Sequence, residues 1–130
     1  MSKKKILIVD DEQKFVDMLK MRLEANEYEV MAAYDGEEGI RMAEDIKPDA
    51  IILDMLMPKM FGDEAAKKLK ENQKTKDIPI VFLSAVPTEF LSGQEKQEGD
   101  NRQHSDDGIY LSKLSDNNEL LAAIKKILKQ

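Results

Sequence analysis

The sequence predicts an α/β protein, a parallel sheet with helices on both faces, and three observations predict it. Short apolar runs of strand length recur along the chain at residues 5–10, 28–33, 49–54, 79–84 and 108–112. Amphipathic stretches alternate with most of them, the order expected of strand–helix–strand crossovers. The residues best suited to chemistry, Asp10, Asp11, Asp54, Ser84 and Lys113, all fall at the carboxyl ends of these runs. In a doubly wound sheet that rim is where ligands bind.

The first run, Ile6-Leu7-Ile8-Val9, reads as a buried strand and closes on Asp10-Asp11-Glu12. Between residues 12 and 26 the apolar Phe15, Met18, Leu19 and Leu23 recur at three- and four-residue spacing, which predicts a helix with one buried face. A second strand follows at 28–33. Asp35-Gly36 then turns the chain, and Asp35 is placed to cap a helix carrying Glu37 and Glu38 near its positive end. Pro48 marks the end of that segment, and Ala50-Ile51-Ile52-Leu53 runs into Asp54. A third helix is expected from about Gly62 to Asn72, with a thin buried face of Ala65, Ala66 and Leu69. After the strands at 79–84 and 108–112, Leu120, Leu121, Ile124, Ile127 and Leu128 share one face of a closing helix.

A chain of 130 residues holds one core and is too short for two domains. Its 42% hydrophobic and 35% charged residues suit a soluble globular protein. The net charge of −6 argues against direct binding to nucleic acid. With no cysteine there is neither a disulfide framework nor a thiolate metal site. The sole histidine, His104, lies in a polar stretch and reads as a solvated imidazole. No apolar segment approaches the roughly 18 residues that span a bilayer. Met1-Ser2-Lys3-Lys4-Lys5 leads straight into a strand, so a cytoplasmic setting is expected.

Two buried strands that each end in a carboxylate are costly unless something neutralises the charge. A divalent cation held between the strand ends is the economical neutraliser. Each residue has a plainer reading on its own. Asp10-Asp11-Glu12 would be the acidic start of a helix, Asp54 a turn or cap, Ser84 a loop hydroxyl and Lys113 a solvated cation. Their convergence on one rim favours a shared site.

These residues resemble the receiver domain of bacterial two-component response regulators, in particular the single-domain, chemotaxis-regulator type. The resemblance rests on Ile8-Val9-Asp10-Asp11-Glu12, on Leu53-Asp54-Met55-Leu56-Met57-Pro58 with Gly62, on Phe82-Leu83-Ser84-Ala85, and on Tyr110-Leu111-Ser112-Lys113. It implies a flavodoxin-like, five-stranded parallel sheet in the order 2-1-3-4-5, an order taken from the family and not deduced from spacing. Residues 1–130 would be one receiver domain. The family also implies a phosphoacceptor switch in a phosphorelay. Asp54 would take a phosphoryl group from a histidine kinase or phosphotransfer protein, the chain catalysing its own aspartyl phosphorylation and dephosphorylation. Mg²⁺ would be bound directly by Asp11 and Asp54, through water by Asp10, and by the backbone carbonyl of Leu56. Lys113 would pair with Asp54 before transfer and then, like Ser84, contact a phosphoryl oxygen, and Ser84 with Tyr110 would form the switch; Tyr110 also suits plain core. The alternative is a receiver-like interaction module that works without phosphorylation. A haloacid-dehalogenase-type phosphatase would need an Asp-x-Asp motif, and a flavodoxin a phosphate loop after the first strand; both are missing.

Two departures from the family stand out. Lys113 is followed by Leu114 where the family commonly has a cis proline. A cis bond before a non-proline residue costs about 2.5–4 kcal/mol, so a trans bond and a reshaped loop are expected. The second is the fourth-helix region, an atypical polar segment at 87–108 interrupted by Gly93 and Gly99. A turn of helix near 88–91 followed by an irregular loop is expected there. The sheet flank near Val81, Leu83 and Leu111 would then be partly open, to be covered by homodimerisation or element exchange. Leu56 and Val86, each two residues beyond Asp54 and Ser84, are apolar, which predicts slow self-dephosphorylation. The final helix ends at Gln130 without a linker-like tail, which favours a free-standing domain acting on a downstream protein target.

Overall fold

A computed structural model describes residues 3–85 and 108–130. The chain runs β1 (Lys5–Val9), α1 (Gln13–Ala25), β2 (Glu29–Ala33), α2 (Gly36–Ile46), β3 (Ala50–Asp54), α3 (Gly62–Glu71), β4 (Ile80–Ser84) and β5 (Gly108–Ser112). A last helix, here α4, covers Asn117–Ile127. The five strands form one sheet in the order β2-β1-β3-β4-β5, and every neighbouring pair is parallel. Both the α/β class and the strand order implied by the family are borne out.

Alternation along the strands divides the core in two. Ile6, Ile8, Val30, Ile52, Val81 and Leu83 face α1 and α4, meeting Val16, Leu19, Leu23, Leu120 and Ile124. Leu7, Val9, Ile51, Leu53, Ile80 and Phe82 face the other way, against Ala43 of α2 and Ala65, Ala66 and Leu69 of α3. The central strands are therefore apolar at successive positions, which is why their sequences read as unbroken hydrophobic runs.

This division corrects one expectation. Val81 and Leu83 are 0% and 2% exposed and lie beneath α1 and α4, so the chain itself closes the flank there, while Leu111 stays half-buried. One-residue alternation instead puts Phe82 and Tyr110 on the opposite face. The expected helical turn and loop within residues 86–107 lie outside the described residues.

Local chemistry explains the helix ends. Asp35 Oδ1 accepts the Glu38 backbone N–H at 2.8 Å, and Glu38 Oε1 accepts that of Tyr34 at 2.9 Å. At α4, Asp116 and Glu119 form a reciprocal capping box. The expected boundaries shift by a residue or so, and Val16 joins the buried face of α1. Among the described residues no helix is long and apolar enough to cross a membrane.

Candidate functional site

β1 and β3 lie side by side, Val9 opposite Leu53, so the residues that follow or end them share one rim. Asp10 is fully buried just beyond β1 and donates its backbone N–H to the Ala33 carbonyl of β2 at 3.1 Å. Its Oδ1 accepts the Glu12 N–H at 2.9 Å, which folds the acidic run back over the strand end. Asp54 is the last residue of β3, 2% exposed, with Oδ1 accepting the Leu56 N–H at 3.2 Å. Asp11 is exposed, and Asp10, Asp11 and Asp54 each offer an oxygen within 4.8 Å of the others.

Gly62 makes the approach of α3 possible. A Cβ there would stand 2.5 Å from the Asp54 carbonyl oxygen and 2.6 Å from Met55 Cα. Its N–H donates to the Met55 carbonyl at 2.8 Å, tying the helix start to the strand end.

Lys113 arrives from β5, its backbone N–H donating to the Ser84 carbonyl at 2.7 Å. The ammonium is 2.7 Å from Glu12 Oε1, 2.9 Å from Asp10 Oδ2 and 3.5 Å from Asp54 Oδ2. It also sits 4.9 Å above the centre of the Phe15 ring, a cation–π contact. Ser84 is buried at the end of β4, opposite Ser112. Tyr110 is half-buried and stacks on Phe82 with ring centres 4.7 Å apart.

The bond between Lys113 and Leu114 is trans. Leu114 has the N–H a proline would lack, and donates it to Ser112 Oγ at 3.0 Å. Ser112 also accepts the Ser115 N–H through its carbonyl at 3.0 Å. The loop is thus shaped by a serine.

Burial and charge act together here. Burial first, and then the neighbouring Asp10 charge, pushes the Asp54 carboxyl up to about 6 against the opposing pull of Lys113. Burial likewise raises Asp10. For Lys113 burial works against the charge, but the contacts with Glu12 and Asp10 outweigh it and hold the ammonium charged.

Among the described residues Asp10, Asp11, Glu12 and Asp54 outnumber Lys113, and the buried Asp10 Oδ2 has no partner in hydrogen-bond geometry although the Lys113 ammonium is 2.9 Å away. An all-oxygen, negatively charged cluster with an unsatisfied buried oxygen fits a hard divalent cation. All five residues expected at the rim come together. What sequence reasoning missed is the closest partner of Lys113, which is Glu12, and the Phe15 ring beside it.

A parallel doubly wound sheet with this acidic rim defines a class of phosphoryl-accepting signalling domains, and the comparisons with known proteins agree. The response regulator receiver domain family matches residues 6–125, and the chain belongs to it. It is 39% identical over 127 residues, 98% of its length, to the alkaline phosphatase synthesis transcriptional regulatory protein PhoP of Bacillus subtilis. It is 36% identical over 127 residues, again 98% of the chain, to the phosphate regulon transcriptional regulatory protein PhoB of Pseudomonas aeruginosa. The chain spans about half the length of these relatives, 49% and 52%. Among solved structures, the chemotaxis protein CheY4 of Vibrio cholerae superposes with a TM-score of 0.79 at 28% identity, covering 97% of this chain and 99% of that one. The receiver domain of sensor histidine kinase PA1611 from Pseudomonas aeruginosa, which holds a magnesium ion in its active site cleft, gives a TM-score of 0.79 over 99% of this chain and 100% of its own. At 24% identity that likeness is one of fold. Receiver domains are the phosphoacceptor switches of two-component systems, and they work with histidine kinases and downstream effectors.

Proposed function

We propose that residues 1–130 act as a single receiver domain in which Asp54 accepts a phosphoryl group from the histidine of a kinase or phosphotransfer protein. The observation that carries this reading is the pairing of two buried carboxylates, Asp10 and Asp54, with Lys113 at the strand ends. A carboxylate is a competent nucleophile toward phosphorus. With its acidity near 6, Asp54 is mostly ionised at neutral pH and available to attack. An Asp54 carboxylate oxygen forms the new bond to phosphorus as the donor's phosphorus–nitrogen bond breaks. That bond's electron pair returns to the imidazole nitrogen, leaving an acyl phosphate on Asp54.

Asp11 and Asp54 would hold Mg²⁺ directly, Asp10 through water, and the Leu56 carbonyl would complete the protein ligands. When bound, the ion offsets the repulsion between the carboxylate and the incoming phosphoryl group. Lys113 supplies a point charge for one phosphoryl oxygen and Ser84 a hydroxyl for another. Movement of Ser84 toward the phosphoryl group would let Tyr110 leave its stack on Phe82 and alter the surface offered to a downstream protein. A cytoplasmic setting suits such a partner pair.

The test is incubation with acetyl phosphate, with and without Mg²⁺, read by intact mass. Wild type is expected to gain one phosphoryl group only with Mg²⁺, and Asp54→Asn none. Labelling of Asp54→Asn equal to wild type would overturn the reading.

A further inference from the structure

Glu12 is the N-cap of α1, yet its side chain makes no capping hydrogen bond to its own helix. Its carboxylate instead reaches across the rim to Lys113, 101 positions away in sequence, at 2.7 Å. Among the described residues that is the shortest of the ammonium's three carboxylate contacts; Asp54 is the most distant at 3.5 Å. The first turn of α1 carries no other acidic residue, and Phe15 from the same turn lies under the same ammonium. One helical turn thus supplies both a counter-ion and a ring face that draw Lys113 to the α1 side of the rim.

From this we infer that Glu12 is a positioning residue: it holds Lys113 off Asp54 in the resting domain and must be exchanged for the phosphoryl group when Asp54 is modified. The inference rests on the phosphoacceptor reading. Glu12 is suited to losing that exchange. Its side chain is 64% exposed and that of Asp54 3%, so water solvates the released Glu12 carboxylate far better than the buried Asp54 carboxyl. Asp10 cannot serve the same purpose, because it is buried and would be left uncompensated. The contact therefore tunes how readily the lysine engages the phosphoryl group, at little cost to the fold.

The experiment uses the whole chain and beryllofluoride with Mg²⁺ as the stand-in for the phosphoryl group. Glu12→Gln is expected to bind beryllofluoride about two- to fivefold more tightly than wild type, the scale of one partly exposed ion pair. The gain should vanish in a Lys113→Ala background, since the effect passes through the lysine. Glu12→Asp, one methylene shorter, should fall between the two. Equal or weaker binding by Glu12→Gln, or a gain that survives Lys113→Ala, overturns the inference. If wild type itself binds no beryllofluoride, the phosphoacceptor reading fails. The resting position is then judged from a metal-free crystal structure of Glu12→Gln. The lysine should close on Asp54 to about 2.8 Å, and a lysine left where it stands in wild type overturns the inference.

Discussion

Gly62 and Asp54 meet backbone to backbone: a methyl group on Gly62 would lie 2.5 Å from the Asp54 carbonyl oxygen. The first residue of α3 is therefore part of the wall behind the Asp54 carboxylate. Gly62→Ala must push helix and strand end apart. Overpacking of this kind costs about 1–3 kcal/mol. The variant should unfold at lower urea and bind Mg²⁺ more weakly, as calorimetric titration would show. An unchanged affinity would mean that the strand end is not held by this contact.

The raised acidity constant of Asp54 sets the sign of a pH dependence. The folded state keeps the Asp54 proton up to about 6, against an ordinary 3.8. Folded chains thus bind more protons than unfolded ones between those values, and stability is lost as pH rises through that window. Above it, the ionised Asp54 costs the metal-free fold about 1–3 kcal/mol. Asp54→Asn removes the cost, so in the absence of metal it should be more stable than wild type at about pH 7.5 and show little advantage at about pH 4. Urea unfolding at the two pH values measures the difference. Saturating Mg²⁺ should narrow it, because the ion stabilises wild type by binding the folded chain.

The capping box of α4 offers a contrast in which stability moves and the site does not. Asp116 Oδ1 accepts the Glu119 N–H at 2.9 Å, and Glu119 Oε1 accepts that of Asp116 at 3.0 Å. Asp116→Ala removes one half of the pair and should cost about 1 kcal/mol. Circular dichroism with urea would register the loss, while Mg²⁺ affinity should stay at the wild-type value.

How much of this was legible in the sequence depended on how local the cause was. Strands appeared as apolar runs because both faces of the central sheet are covered, and the Asp35 cap followed from a residue acting three positions along its own chain. The rim residues were legible because a parallel sheet gathers strand ends by construction. Assigning Val81 and Leu83 to the face beneath α1 and α4 was not, since alternation alone does not say which helix covers which side. Glu12 and Lys113 were each visible, but their pairing joins residues far apart in sequence by a side-chain choice: Glu12 leaves its own helix N-terminus uncapped. Thr75 carried no signal of burial either, since it is polar; it is 1% exposed, and its hydroxyl donates to the Leu69 carbonyl at 2.6 Å, closing the turn after α3.

Leu56 leads to a kinetic prediction. Its backbone N–H is anchored on Asp54 Oδ1 at 3.2 Å, while the residue is 59% exposed, so an apolar group stands at the edge of the Asp54 carboxylate. Loss of the phosphoryl group requires a water aimed at phosphorus, and a leucine can neither donate to nor accept from that water. Leu56→Asn places an amide at the same position without disturbing a buried contact, so stability should change by no more than about 0.5 kcal/mol. One hydrogen bond to the attacking water, worth about 1 kcal/mol, would speed hydrolysis about fivefold. The decay of the phosphorylated protein after removal of acetyl phosphate, followed by intact mass, measures the rate. A half-life that lengthens or stays the same would show that Leu56 does no more than pack the rim.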